Sequence, residues 1–341
     1  MASLEYPFPE LPEAGTTREV APGVRWLRMP LPFQLNHINL WLLADGDGWT
    51  IVDTGIGNAP TRELWESVFA SLENGAKVKR VLLTHYHPDH AGNAAWLCER
   101  FGVELWMTQG EYLTAHAVRD SAAGYTGDAV LDVFRRNGLD EARLGAMVTR
   151  KNRYAGLVPD FPQSYRRVID GDRIRIGARE WRGMVGYGHA PEHLSLYCAD
   201  LNVLIAGDML LSTISTNVSV WSVDPEGDPL RLFLQSIARY RELPEDVLVL
   251  PSHGKPFRGA HLRVRELEAH HDARFQELLD SLKGRSASAG ELLPVLFRRP
   301  LDAHQTFFAM GEAVAHLHYL YYAARAKRSV GSDGIVRYAT A

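Results

Sequence analysis

The sequence predicts a mixed α/β fold. Apolar runs of strand length recur between stretches of helical spacing, and Gly, Pro or Asp marks where each run stops. From about Arg258 onward the pattern turns almost wholly helical. Residues 1–18, rich in Pro and Glu without periodicity, are expected as an extended arm before the main domain. Val24–Met29, Ile38–Leu43 and Trp49–Val52 read as strands, and Asp45-Gly46-Asp47-Gly48 as the hairpin turn joining the last two. Asp53-Thr54-Gly55 closes that third strand, and Thr61–Leu72 has helical spacing behind it. Val78–Thr84 is a further strand, Ala91–Arg100 a helix and Val103–Met107 a strand. Residues 109–165 carry the helical patches Glu111–Val118, Ala129–Asn137 and Glu141–Lys151 without a strand signal. They read as a helical insertion, either a lid or binding wall, or an added packing layer. Strands resume at Val168–Ile169, Arg173–Ile176, Trp181–Val185, Leu194–Cys198 and Val203–Ile205. Pro229–Tyr240 is helical and Val247–Leu250 is a short apolar strand.

The 341 residues can hold one large domain with a smaller appendage, here divided as 19–257 and 258–341. A net charge of −4 argues against a dominant nucleic-acid or anionic-membrane surface, although a local patch can hide beneath that sum. Cys98 and Cys198 match no zinc or disulfide spacing and read as buried free thiols. With no signal-peptide pattern and no apolar run long enough to span a bilayer, a reduced, cytoplasmic setting is expected.

The densest chemistry lies in Thr84-His85-Tyr86-His87-Pro88-Asp89-His90. Strand-end residues two apart point the same way, so His85 and His87 can offer imidazoles to one point. Pro88 suits a helix start, and the first turn then aims Asp89 and His90 at a neighbouring point. Neutral imidazole and carboxylate suit Zn²⁺ and also Fe or Mn. Three more segments present such residues where an apolar run ends: Gly188-His189-Ala190-Pro191-Glu192-His193, Gly207-Asp208, and Ser252-His253-Gly254. Each alone reads as an ordinary loop; together they read as one metal site. No G-x-S-x-G suggests a serine nucleophile.

These segments, with Asp53-Thr54-Gly55, stand in the order found in the metallo-β-lactamase superfamily, and the chain resembles its glyoxalase II-like hydrolases over residues 20–255. The resemblance implies a four-layer αββα sandwich with metals at one edge. It implies that His85, His87 and His189 hold a first divalent ion and Asp89, His90 and His253 a second. Asp208 would bridge them, with zinc expected and Fe or Mn open. A hydroxide shared by the ions would be the nucleophile, oriented by Asp89, and the substrate a small thioester or lactone. Asp53 matches the family's buried, loop-supporting aspartate. His193 is expected either to donate to a substrate oxyanion or to orient His189. Tyr187 is read as core or pocket, Asn217 as a polar contact beside the cleft, and Lys255 as an anion-binding or a solvated lysine.

Beyond Phe257 the helical stretches around His270-His271-Asp272, Glu291–Leu296 and His304–Tyr322, followed by Ile335–Tyr338, resemble the winged-helix tail of the β-lactamase-like protein 2 group. Some of its members cut single-stranded RNA. Twelve Lys/Arg against nine Asp/Glu make this segment only mildly basic, so a structural or oligomerising tail is favoured over a nucleic-acid one. His316 and His318 are expected as packing or surface residues. Phosphodiester hydrolysis and mononuclear-iron persulfide oxidation are the alternative chemistries.

Overall fold

The computed structural model describes residues 3–72, 76–148 and 153–341. The chain forms two compact units: residues 1–120, 154–216 and 236–264 make the first, and 121–153, 217–235 and 265–341 the second.

The first unit is built on two sheets. One orders β1 (Thr17–Ala21), β2 (Val24–Pro30), β3 (His37–Asp45), β4 (Gly48–Val52), β5 (Val78–Leu82), β6 (Leu105–Met107) and β7 (Arg166–Arg167) side by side. It is antiparallel as far as β4 and parallel from there on. The second runs β8 (Arg173–Ile176), β9 (Arg179–Gly186), β10 (His193–Cys198), β11 (Val203–Gly207) and β12 (Leu248–Pro251), parallel only between β11 and β12.

Strand periodicity divides the core. On β2 and β3, Leu27, Met29, Ile38, Leu40 and Leu42 face one way, into a cluster with Trp65, Val68, Ala94 and Leu97 of the helices. Trp26, Trp41 and Leu43 face the other way and meet Ile174, Trp181, Leu194, Leu196 and Leu250 of the second sheet. Two sheets thus pack face to face with helices on the outer face of the first, the layering that the resemblance implies.

Helix α1 (Ala59–Ser71) starts at Asn58, whose side chain accepts the Thr61 amide at 2.8 Å, with Pro60 in the first turn. The single helix expected at Ala91–Arg100 is two, α2 (Pro88–Ala91) and α3 (Ala94–Phe101). The break has a cause: Asn93 Nδ2 donates to the carbonyls of Thr54 and Ile56 at 3.2 and 2.7 Å, turning the chain between them. The strand expected at Val168–Ile169 lies two residues earlier, as β7. Val168 itself is buried, and its amide reaches Met107 O at 2.9 Å. The hairpin turn is as expected, with Asp45 opposite Gly48 and Gly46 at φ 66°. The N-terminal arm is tied down by a reciprocal backbone pair between Glu5 and Arg258, and β1 already begins at Thr17.

The helical stretch after β6 divides between the units. Helix α4 (Gln109–Arg119) belongs to the first, whereas α5 (Gly127–Arg136) and α6 (Glu141–Val148) belong to the second. The rest of the helix expected over Glu141–Lys151 lies outside the described residues. Helix α7 (Arg153–Leu157) follows, and α8 (Pro229–Ala238) comes after the second sheet's β11.

The second unit also holds most of α9 (Ala260–Ser281), then α10 (Ala289–Leu296), α11 (Ala303–Tyr322) and an antiparallel ribbon of β13 (Ala326–Val330) and β14 (Val336–Thr340). Capping boxes start α10 (Ser288 with Glu291) and α11 (Asp302 with Gln305). Phe275 and Tyr319 stack at 4.3 Å between α9 and α11. His316 and His318 are buried rather than at the surface. Both cysteines are free and buried. Among the described residues no helix is long and apolar enough to cross a membrane.

Candidate metal centre

All seven residues singled out at strand ends converge, in two groups. Donor atoms of His85, His87, His189 and Asp208 lie within 4.8 Å of one another, and so do those of Asp89, His90 and His253. Within the first group His85 Nε2 is 2.9 Å from His87 Nδ1 and 3.2 Å from His189 Nε2, and His189 Nε2 is 3.4 Å from Asp208 Oδ2. The other Asp208 oxygen, Oδ1, stands 3.6 Å from His90 Nε2 and 3.5 Å from His253 Nε2. Asp89 Oδ2 lies 3.8 and 3.5 Å from the same two nitrogens. Tetrahedral Zn–N bonds of about 2.0–2.1 Å place their donor atoms about 3.3 Å apart, so most of these spacings suit the edges of a coordination shell.

The tautomers point the same way. His90 Nδ1 is 2.8 Å from Asp53 Oδ2, and His253 Nδ1 is 2.8 Å from the His37 carbonyl. Neither a carboxylate nor a carbonyl donates here, so each Nδ1 carries a proton, and each Nε2, in the neutral ring that binds metal, presents a lone pair. Those lone pairs face the oxygens of Asp89 and Asp208. Buried His90 Nε2 and Asp208 Oδ1 have no hydrogen-bond partner among the described residues. Donors facing donors in a buried place need a cation between them, and the set fits divalent metal. Burial, joined by the neighbouring imidazoles, drives His85 well below the usual histidine range and keeps it neutral, the form that binds metal. Burial would also lower His90, but Asp53, Asp89 and Asp208 outweigh it and hold its pKa well above the ordinary value while no cation competes.

The supporting residues explain why the loops sit where they do. Asp53, at φ 62°, accepts the Thr84 amide through Oδ1 and both Thr84 Oγ1 and His90 Nδ1 through Oδ2, each at 2.8 Å. Four further residues escaped the sequence reading. Asn39 accepts Trp26 Nε1 and donates to the Pro251 and Gly254 carbonyls, clamping the His253 loop onto β3. Buried Glu111 accepts the amides of Tyr86 and Glu192 at 2.9 and 2.7 Å, tying together the loops that carry His87 and His189. Burial lifts its carboxyl to about 7. Tyr154 donates to the Tyr86 carbonyl at 2.6 Å. His37 Nε2 accepts the Gly254 amide at 2.9 Å. No spacing marks these residues; only the fold shows which loops they join.

His193 has a partner that the sequence reading did not name. The histidine is fully buried, and its Nε2 accepts the Asp208 amide at 3.1 Å. It therefore holds the Asp208 backbone in place, and its Nε2, an acceptor there, has no proton for a substrate oxyanion. Burial lowers it to about 3, so it stays neutral. Tyr187 is 40% exposed, its amide held by Ser236 Oγ. Lys255 donates to the Pro9 carbonyl at 2.7 Å, which ties down the arm. Asn217 belongs to the second unit, where it donates to Glu312 and accepts from Ser219.

An αββα sandwich with a His/Asp centre at its strand ends defines a metal-dependent hydrolase fold. The chain belongs to the metallo-beta-lactamase superfamily, whose family model matches residues 34–253, and residues 275–341 match the metallo-beta-lactamase-like C-terminal domain. It is similar to the crystal structure of a beta-lactamase domain protein from Burkholderia ambifaria: 50% identity, 99% of this chain and 98% of that one covered, TM-score 0.93. Among curated proteins it is 23% identical to the probable metallo-hydrolase YqjP of Bacillus subtilis over 86% of this chain and 91% of that protein. It is also 23% identical to the hydroxyacylglutathione hydrolase of Cereibacter sphaeroides over 65% of this chain and 67% of that one.

Proposed function

We propose that this protein is a dinuclear metal hydrolase of a small ester-type bond, thioester or lactone first. The observation that carries the reading is Asp208, whose two carboxylate oxygens face different donor groups, Oδ2 the one with His189 and Oδ1 the one with His90 and His253. His85, His87 and His189 would hold one ion, Asp89, His90 and His253 the other, and Asp208 both. Zinc is the expected metal, since the mixed N/O donor set suits it. Divalent ions there would lower the pKa of a water and polarise a carbonyl oxygen.

The chain's own residues supply the rest. Asp89 is the more accessible carboxylate of the set, with 17% of its side chain exposed against 10% for Asp208, so Oδ1 or Oδ2 can orient the attacking water and take up its proton. Asp53 keeps the His90 ring from rotating away, and His193 fixes the backbone from which the Asp208 carboxylate projects. The likeness to a hydroxyacylglutathione hydrolase supports a thioester.

The test is metal analysis of the purified protein together with a panel of thioesters, lactones and a phosphodiester. Two transition-metal ions per chain and thioester or lactone turnover are expected, with an Asp208→Ala variant at least about 100-fold slower. A protein that binds no transition metal, a fully active Asp208→Ala variant, or turnover of the phosphodiester alone would discard the reading.

A further inference from the structure

Away from the metal-binding residues, the last strands of the two sheets border a groove of ≈ 550 Å³. Strand β7 ends one sheet and β8 the other, each paired on one side only. The groove is lined by five arginines, Arg80, Arg166, Arg167, Arg173 and Arg175, by Trp106 and Ile174, and by a single acid, Asp172. Two of the arginines have carboxylate partners: Arg80 with Asp45 at 3.1 Å and Arg173 with Glu180 at 2.7 Å. Asp172 is engaged by the Ile169 amide at 3.0 Å. Among the described residues Arg166, Arg167 and Arg175 have no carboxylate within ion-pair distance. Arg166 and Arg80 both lie against Trp106, at 4.5 and 4.6 Å from its ring, and Arg175 donates to the Ala178 carbonyl.

Arginine on an edge strand can serve only to keep other strands from pairing there, and charge of either sign would do for that. Here the charge is five arginines against the single acid Asp172, it comes from both sheets, and it lines one concavity of a chain whose net charge is −4. Like charges held close together repel one another unless an anion lies between them. Guanidinium groups present paired N–H donors matched to phosphate oxygens, and the groove has the volume of a small-molecule site.

We infer that this groove binds a small ligand carrying at least two phosphate groups, gripped between Arg166 and Arg167 of β7 and Arg175 of β8. The inference is independent of the proposed hydrolase chemistry.

Calorimetric titration of the full chain at low salt tests it, with inorganic pyrophosphate and adenosine 3′,5′-bisphosphate as separate probes. At least one should bind, and an Arg166→Gln/Arg175→Gln variant with an unchanged melting temperature should bind it at least about tenfold more weakly. Binding of pyrophosphate points to an inorganic source and preference for the bisphosphate to a nucleotide one; either supports the site. Because phosphates also bind metal ions, the Asp208→Ala variant is the control, and it should keep the affinity. Loss in Asp208→Ala with retention in the arginine variant would place the anion on the metals and overturn the inference. So would the absence of binding by either probe, or binding of only a single-stranded oligonucleotide. If the double variant fails to fold, Arg167→Gln carries the same comparison.

Discussion

The Asp53 carboxylate holds His90 through Nδ1 and the Thr84 amide and hydroxyl at the same time, every distance being 2.8 Å. One buried side chain thus sets both the tautomer of a candidate metal-binding histidine and the start of the loop that carries three more candidates, His85, His87 and Asp89. Asp53→Asn tests this cleanly, because Asn tolerates φ 62° and the backbone need not change. An amide in place of one oxygen sets donor against donor, with His90 Nδ1, Thr84 Oγ1 or the Thr84 amide. Metal affinity, read by competition with a chelator, should fall about 10–100-fold. Unchanged affinity would mean that His90 does not depend on Asp53.

Asn39 should matter to both stability and metal. Its side chain satisfies Trp26 Nε1 and two carbonyls flanking His253, all at 2.8–2.9 Å. Asn39→Ala leaves a buried indole N–H without an acceptor and frees the loop. A loss of about 2–4 kcal/mol by urea denaturation is expected. On the proposed two-ion reading, metal at the Asp89, His90 and His253 group should bind more weakly than at the other group. Equal weakening of both metals would argue against a local clamp.

How much of this was legible follows from what each residue does. His85, His87, Asp89 and His90 were readable because a metal-binding loop concentrates rare residue types where a strand stops. His189, Asp208 and His253 were readable only as companions to them. Asn39 was not, since a polar residue inside an apolar strand carries no sign of its partners some 210 positions away. Glu111 opens a helix and looks solvated in the sequence, yet it is fully buried under two loops. The αββα layering followed from the resemblance. The division of residues 109–165 between two units did not, because spacing marks a helix but not the core it joins.

Gly92 offers a test of close packing with no conformational confusion. Its φ of −60° suits any residue, but a Cβ there would meet Gly57 N at 2.2 Å, Leu157 O at 2.6 Å and Gly55 O at 2.7 Å. All three are backbone atoms and cannot swing aside. Gly92→Ala should cost about 3 kcal/mol or more and reduce soluble yield. A variant as stable as the parent in urea would show that the loops after β4 and α7 can yield.

Glu312 of α11 predicts a pH dependence that owes nothing to the metals. Burial raises its carboxyl to about 7 from 4.5, against the hydrogen bond from Asn217 and the nearby charge of Arg274. Between those two values the folded chain holds a proton that the unfolded chain has released, so this group's contribution to stability falls as pH rises from 4.5 to 7 and levels off above. Two histidines of the same unit slope the other way. His271 and His316, joined at 3.1 Å, are lowered by burial to about 3 and about 4, so the folded chain leaves neutral what the unfolded chain protonates below 6.5. Their contribution is complete above 6.5 and is lost as pH falls toward 3. Glu312→Gln keeps an acceptor for Asn217 and removes only the first slope. In urea, it should gain stability over the parent at pH 8 and little or nothing at pH 5. Equal effects at both pH values would mean that Glu312 is ionised in the folded chain throughout, and the assignment would fail.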